Sequence, residues 1–181
     1  MEKNTKAAPI PSKLLVGEVK LYSPEVLRKC DLFSGLGADQ LSNVEKICTT
    51  EEFEAGAILC QQGALAKKLY VIKDGWAQIF LGVKPLPKCH LQTASTYEVV
   101  GWEVMLEPHV YKATVKAIEK TTAFAFDGER LQQLCHKRPD IGYEISLGLL
   151  RVIAERLQLT YTKLVDYTSW IRRMEESSVL E

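Results

Sequence analysis

The residues best equipped for chemistry lie between Tyr97 and Val115, in the order Tyr-Glu-Val-Val-Gly-Trp-Glu-Val-Met-Leu-Glu-Pro-His-Val-Tyr-Lys-Ala-Thr-Val. Gly101 supplies a turn, a short apolar run able to form a helix follows, and a second polar segment runs from Lys112 to Thr114. Backbone N–H groups at a helix start cradle a phosphate, and a nearby cation completes such a site. The stretch therefore reads as a loop built to hold a small anion.

Other chemistry finds less support. No His, Cys and carboxylate set stands at zinc spacing, and no glycine-rich phosphate loop of nucleotide hydrolases is present. No nucleophile-elbow pattern occurs either, so an enzyme is not expected. The five cysteines, Cys30, Cys48, Cys60, Cys89 and Cys135, are odd in number and widely spaced without a Cys-x-x-Cys pair. Reduced, mostly buried thiols are the expectation.

The elements that must position the loop follow from periodicity. Ser23-Pro24-Glu25 looks like an N-cap with proline in the first turn, opening a short helix. Leu32, Phe33 and Leu36 lead into a second helix that Asp39 caps, with Leu41, Val44, Ile47 and Cys48 at helical spacing. From Thr49 the period changes to two. Short apolar runs end at Gly56, Gly63, Gly75 and Gly82, and Asp74-Gly75 between two such runs predicts a hairpin. Val83–Lys88 carries two prolines and reads as a loop, Leu91–Val100 as strand, and Ala113–Ala117 and Thr122–Phe126 as two more strands. Several short, evenly spaced strands argue for a sandwich or barrel. Asp127 then caps a helix bearing Leu131, Leu134 and Cys135.

From Pro139 to about Met174 a single helix is predicted, ~50 Å long and wider than a small domain. Tyr143, Ser146, Leu150, Ile153, Leu157, Thr160, Leu164, Tyr167, Ile171 and Met174 alternate in steps of three and four, a heptad seam. A second face carries Ile141, Ile145, Leu149 and Val152. Two apolar faces need two partners, so a parallel homodimer is expected through Leu150, Ile153, Leu157, Leu164 and Tyr167; a plain core helix is the alternative.

The bulk properties agree with one domain. A chain of 181 residues holds one sizeable core plus an appended helix. Its 23 basic and 23 acidic residues cancel, which removes the footprint of a dedicated nucleic-acid binder. No apolar run approaches the ~20 residues that span a bilayer, and Met1–Lys13 has no apolar signal core, so a cytoplasmic protein with an N-terminal tail is expected.

Together these features resemble the cyclic-nucleotide-binding domain family. The carriers are Phe53-x-x-Gly56-x-x-Leu59, Gln62-Gly63, Leu69-Tyr70-Val71-Ile72-x-x-Gly75, Gly101 and Ala113-Thr114-Val115-x-Ala117, over about Leu27 to Leu164. The resemblance implies a mainly β fold with flanking helices: a double-stranded β-helix, or jelly roll, with N-terminal helices and a long C-terminal dimerisation helix. The expected division is a tail at 1–22, the β-roll with its helices at 23–138, and the long helix at 139–176, with no helix-turn-helix module and hence no element to enter a DNA groove. The family's phosphate-binding cassette has the form Phe-Gly-Glu, a short helix, then Pro-Arg-x-Ala-Thr; its glutamate accepts from the ribose hydroxyl and its arginine pairs with the phosphate.

Here Trp102 takes the glutamate position with Glu103 one place late, and Val110 and Tyr111 stand for proline and arginine. The candidate ligand-binding residues are Val100, Gly101, Trp102, Glu103, Val104, Tyr111, Lys112, Ala113 and Thr114. Loss of a charge-assisted phosphate contact costs about 2–5 kcal/mol, roughly tens to thousands-fold in affinity. Three readings follow. One is a small-ligand sensor that does not hold classical cyclic AMP or GMP tightly, with Trp102 and Tyr111 offering stacking surfaces and a hydroxyl. Another is a genuine cyclic-nucleotide binder in which Glu103 and Lys112 serve as shifted partners. The third is a ligand-free structural or dimerisation domain in which Trp102 and Tyr111 fill the pocket. The ligand is left unassigned: a cyclic nucleotide remains one option, and no metal is expected. Because some relatives of this fold sense gases through haem, Cys89 and His90, read as a loop pair, carry a lesser haem-sensor reading.

Overall fold

The computed structural model describes residues 24–82 and 88–178, with side chains over 26–82 and 88–170. The N-terminal tail, the Ser23 cap and most of the Val83–Lys88 loop lie outside the described residues.

Two short helices open the fold, α1 (Pro24–Arg28) and α2 (Ala38–Glu45), joined through a 3-10 turn at Asp31–Phe33. Eight strands follow: β1 (Cys48–Phe53), β2 (Ile58–Cys60), β3 (Lys68–Asp74), β4 (Ala77–Leu81), β5 (Cys89–Ala94), β6 (Val99–Val100), β7 (Thr114–Ala117) and β8 (Thr121–Asp127). They form two antiparallel four-stranded sheets, ordered β1-β8-β3-β6 and β2-β7-β4-β5. Two helices close the chain, α3 (Gly128–Lys137) and α4 (Pro139–Ser178). This is the expected jelly roll with flanking helices and a long C-terminal helix.

The core sits between the sheets and under the helices. Leu69, Ile72, Phe124 and Phe126 are fully buried, and Phe126 packs on Phe33 at 5.1 Å between ring centroids. β3 and β8 are apolar on both faces because helices cover the first sheet. Asp127 caps α3 as expected, accepting from the Arg130 N–H at 3.0 Å. One face of α4, with Ile141, Ile145, Leu149 and Val152, is buried against the domain. Gly148 allows that approach, since an added methyl would collide with the Leu32 carbonyl.

Four local expectations are corrected. The cap of α2 is Gly37, whose N–H donates to Gln40 Oε1 at 2.8 Å, and Asp39 lies in the first turn instead. The helix stops at Glu45, so Cys48 opens β1 rather than extending the stripe. Asp74-Gly75 is not a hairpin: β3 pairs with β6 and β8, β4 with β5 and β7, and the chain turns from one sheet to the other. Gly75 makes that corner at φ +89°, where a Cβ would lie 2.7 Å from the Lys120 carbonyl. Finally, Cys89 and His90 belong to β5, His90 opposite Phe80 in β4, and not to a loop.

Candidate functional site

Gly101 ends β6 in the left-handed region, at φ 76°, and starts a 3-10 turn at Trp102–Met105. Only glycine fits, because a Cβ would lie 2.6 Å from the Lys68 carbonyl and 3.2 Å from both Cys60 Sγ and the Tyr111 ring. The bend thus presses the start of the cassette against β3 and against its own far end.

That far end is held by backbone ladders. The segment 63–66 pairs with 109–111: Gly63 N–H donates to Tyr111 O at 2.9 Å, Tyr111 N–H to Ala64 O at 3.0 Å and Ala66 N–H to His109 O at 2.7 Å. Tyr111 is 7% exposed. Its hydroxyl donates to Lys68 O at 2.8 Å and accepts from Lys68 N–H at 3.1 Å. Burial, with the Cys60 thiol beside it, pushes this phenol up to about 12. The ring and its hydroxyl are therefore wall, bonded in both directions to the Lys68 backbone.

Glu103 is the second interior group. It is 8% exposed, and its Oε1 accepts the Lys112 N–H at 3.0 Å. A buried carboxylate needs such a donor. Thr114 is buried with its hydroxyl accepting from Gln62 N–H at 3.1 Å and from Gln61 Nε2 at 3.4 Å. Val100 and Val104 are core, Trp102 and Ala113 are partly buried against it, and Lys112 points to solvent, opposite in sense to Tyr111. The nine candidates thus fall in two segments, 100–104 and 111–114, and the two able to carry charge are divided between interior and surface.

Sequence reasoning missed Lys68, whose backbone receives Tyr111 from 43 residues away, because a main-chain contact leaves no side-chain signal. It also missed Arg156, which donates to the Val99 carbonyl just ahead of the cassette. Burial lowers the pKa of this guanidinium, while the carboxylates of Glu98, Glu103 and Glu155 oppose that shift. Its signal was legible, since Arg156 continues the buried row Ile145, Leu149 and Val152 in steps of four and three. A cavity of about 30 Å³ lies beside it, between Asp31, Tyr97, Glu98 and α4, with room for a water-sized group.

Cys89 and His90 are both exposed, and as neighbours in a strand they face opposite sides. One iron would not reach both. His90 Nε2 instead meets Thr93 Oγ1 at 3.2 Å. All five cysteines are free; Cys30 and Cys60 are buried, Cys48 and Cys135 partly so, and Cys89 is exposed. Among the described residues no helix is long and apolar enough to cross a membrane.

Residues 50–138 match the family described as Cyclic nucleotide-binding domain. The chain is 27% identical over 121 residues to a protein named as a potassium channel of Rhodopseudomonas palustris, covering 67% of this chain and 29% of that one. It is 25% identical over 142 residues to the CRP-like cAMP-activated global transcriptional regulator of Mycobacterium tuberculosis, covering 78% of this chain and 62% of that one. In both cases the chain spans under two thirds of the relative. By structure it is similar to a cyclic nucleotide-binding domain from Methylobacillus flagellatus, with a TM-score of 0.71, 16% identity, and coverage of 80% of this chain and 82% of that one.

Proposed function

Because the chain belongs to the cyclic nucleotide-binding domain family through residues 50–138, we propose that it is a regulatory module of that fold whose cassette is filled by its own side chains. Such a module does not hold cyclic AMP or cyclic GMP tightly. The observation that carries this reading is the Tyr111 hydroxyl, bonded in both directions to the Lys68 backbone in the position of the family's arginine. A neutral, bonded phenol offers no charge to a phosphate, and displacing it would strand two backbone groups. Glu103 supports the same conclusion, since its carboxylate is engaged by Lys112 N–H and stands where a second anion would be repelled.

The output of the module runs through α4. Tyr143, Leu150, Leu157 and Leu164, seven residues apart, are 47–63% exposed, with Tyr167 at 60% beside them. A seven-residue apolar stripe turned away from its own domain is suited to a parallel coiled coil with a second copy. We place the β-roll and its helices at 23–138 and this dimer helix at 139–176, in a cytoplasmic regulatory protein without catalytic activity of its own.

A small ligand other than a cyclic nucleotide is the second reading. Leu65, 59% exposed, is bridged to Val110, and Leu106 is 49% exposed, so the cassette has an apolar rim beside the partly buried Trp102. Thermal unfolding decides the main reading. With millimolar cyclic AMP or cyclic GMP no large upshift is expected, whereas a ligand at 100 times its Kd adds ~2.7 kcal/mol, about 5–10 °C for a domain of this size. An upshift of that size would overturn it. A small molecule found in native mass spectra of the purified protein would promote the second reading.

A further inference from the structure

We propose that α4 meets α4 of a second copy along a seam in which Leu150, Leu157 and Leu164 interleave with Leu147, Ala154 and Tyr161. This rests on the reading of α4 as a dimer helix and assigns the side of the helix that the partner touches. The row Tyr143, Leu150, Leu157 and Leu164 leaves its companion row open. Three residues after each member stand Ser146, Ile153, Thr160 and Tyr167; four residues after each stand Leu147, Ala154, Tyr161 and Thr168, and either choice completes a heptad. The domain decides between them. Arg156 donates to the Val99 carbonyl of β6 and Lys163 to the Leu91 carbonyl of β5, so the side of α4 bearing both is turned to the β-roll. At ~100° per residue these two lie roughly 120–140° round the helix from Leu150, on the side of Ile153, Thr160 and Tyr167. That row is already engaged by its own chain. Ile153 is half-buried, Tyr167 stacks on Trp170 with 6.1 Å between ring centroids, and the Ser146 and Thr160 hydroxyls donate to the Gly142 and Arg156 carbonyls at 2.8 Å each. The other row faces away: Leu147 is half-buried, Ala154 and Thr168 are exposed, and Tyr161 is 54% exposed.

The composition of this stripe suits a second copy of the chain. From Leu147 to Thr168 it contains no charged residue at either seam position, so it can lie against itself without bringing like charges together. In heptad terms Leu147, Ala154, Tyr161 and Thr168 take position a, and Leu150, Leu157 and Leu164 take position d, where leucine accompanies two-stranded parallel pairing. The flanking positions that face each other across a parallel pair are Ser146 with Arg151, Ile153 with Gln158 and Thr160 with Val165, and none of these opposes two like charges. The alternative row would put Arg156 and Lys163 beside the seam, where the β-roll already holds them and a partner helix would have to displace it. A partner recognised by charge finds nothing to pair with on this stripe, whereas a second copy supplies leucine for leucine along its length.

The test uses the full chain carrying Cys89→Ser, which removes the exposed thiol. Equivalent a residues meet across the axis of a parallel pair, while residues one position earlier lie outside it. Under a mild thiol oxidant Ala154→Cys is therefore expected to give a disulfide-linked dimer about tenfold faster, or more, than Thr160→Cys. In sedimentation velocity Tyr161→Glu should raise the dimer Kd about tenfold or more, and Tyr167→Glu by less than about threefold. Circular dichroism checks that each variant is folded, and Ala154→Glu replaces Tyr161→Glu if that one is not. Cross-linking of Thr160→Cys as fast as Ala154→Cys, or equal weakening by the two glutamates, would overturn the seam and leave the dimer standing; a chain that stays monomeric at every concentration would remove both.

Discussion

Tyr111 joins the cassette to β3 through one oxygen that both gives and takes a hydrogen bond at Lys68. Removing that oxygen leaves a backbone N–H and C=O without their partner. Tyr111→Phe is therefore expected to lower stability by about 1–3 kcal/mol, read as a drop in the urea midpoint at unchanged slope; an unchanged midpoint would mean the hydroxyl only accompanies the packing. Residue types alone single out Tyr111 as a candidate, either a ligand contact or a pocket filler. They did not say whether the phenol faces a ligand or the chain. That choice depends on Lys68, 43 residues earlier, and on Gly63 and Ala64, which fix the Tyr111 backbone. Such contacts are main-chain and long-range, so no local pattern records them.

The elements were more legible than their pairing. Period-two runs and glycines mark the strands, and the buried row on α4 follows from spacing alone. Asp74-Gly75 misled because a turn signal specifies a bend, not the sheet that receives the next strand. Gly148 shows nothing of its role in sequence, and in the fold it is the contact between α4 and the turn at Leu32. On an exposed helix, Gly→Ala stabilises by roughly 1 kcal/mol. Here Gly148→Ala is expected to do the reverse, destabilising by about 1–3 kcal/mol through overpacking, and thermal unfolding gives the sign directly. The outer stripe of the same helix carries a separate expectation. Leu157 is 47% exposed within its own chain, so Leu157→Glu should leave the domain folded and turn a dimer into a monomer by sedimentation velocity. A wild-type monomer at the same concentration would remove the seam from the argument.

Across the whole molecule, the buried ionisable groups set an alkaline limit. Burial pushes the Cys30 and Cys48 thiols from 9.0 up to about 12, and Tyr111 from 10.0 to about 12. Each is held protonated in the fold and loses its proton first in the unfolded chain. The stability they contribute is complete below pH 9, and it is lost as pH rises from there through about 12. Urea midpoints should consequently fall between pH 8 and pH 10.5, less steeply in Cys30→Ala; a flat profile would show that the unfolded chain shelters these groups equally. At the opposite end of the pH range, Arg138 and Gln40 bond to Asp140 and hold its carboxyl well below the ordinary value, although at an exposed site. The long helix adds a mechanical property to this frame. It is seated on the domain at Gly148 and continues to Ser178, ~45 Å farther at 1.5 Å per residue. A tilt of ~5° at that seat, too small to unpack the core, swings the far end through ~4 Å, about three quarters of the rise of one helical turn. The domain is then a fulcrum, and whatever grips the distal stripe feels its small rearrangements magnified.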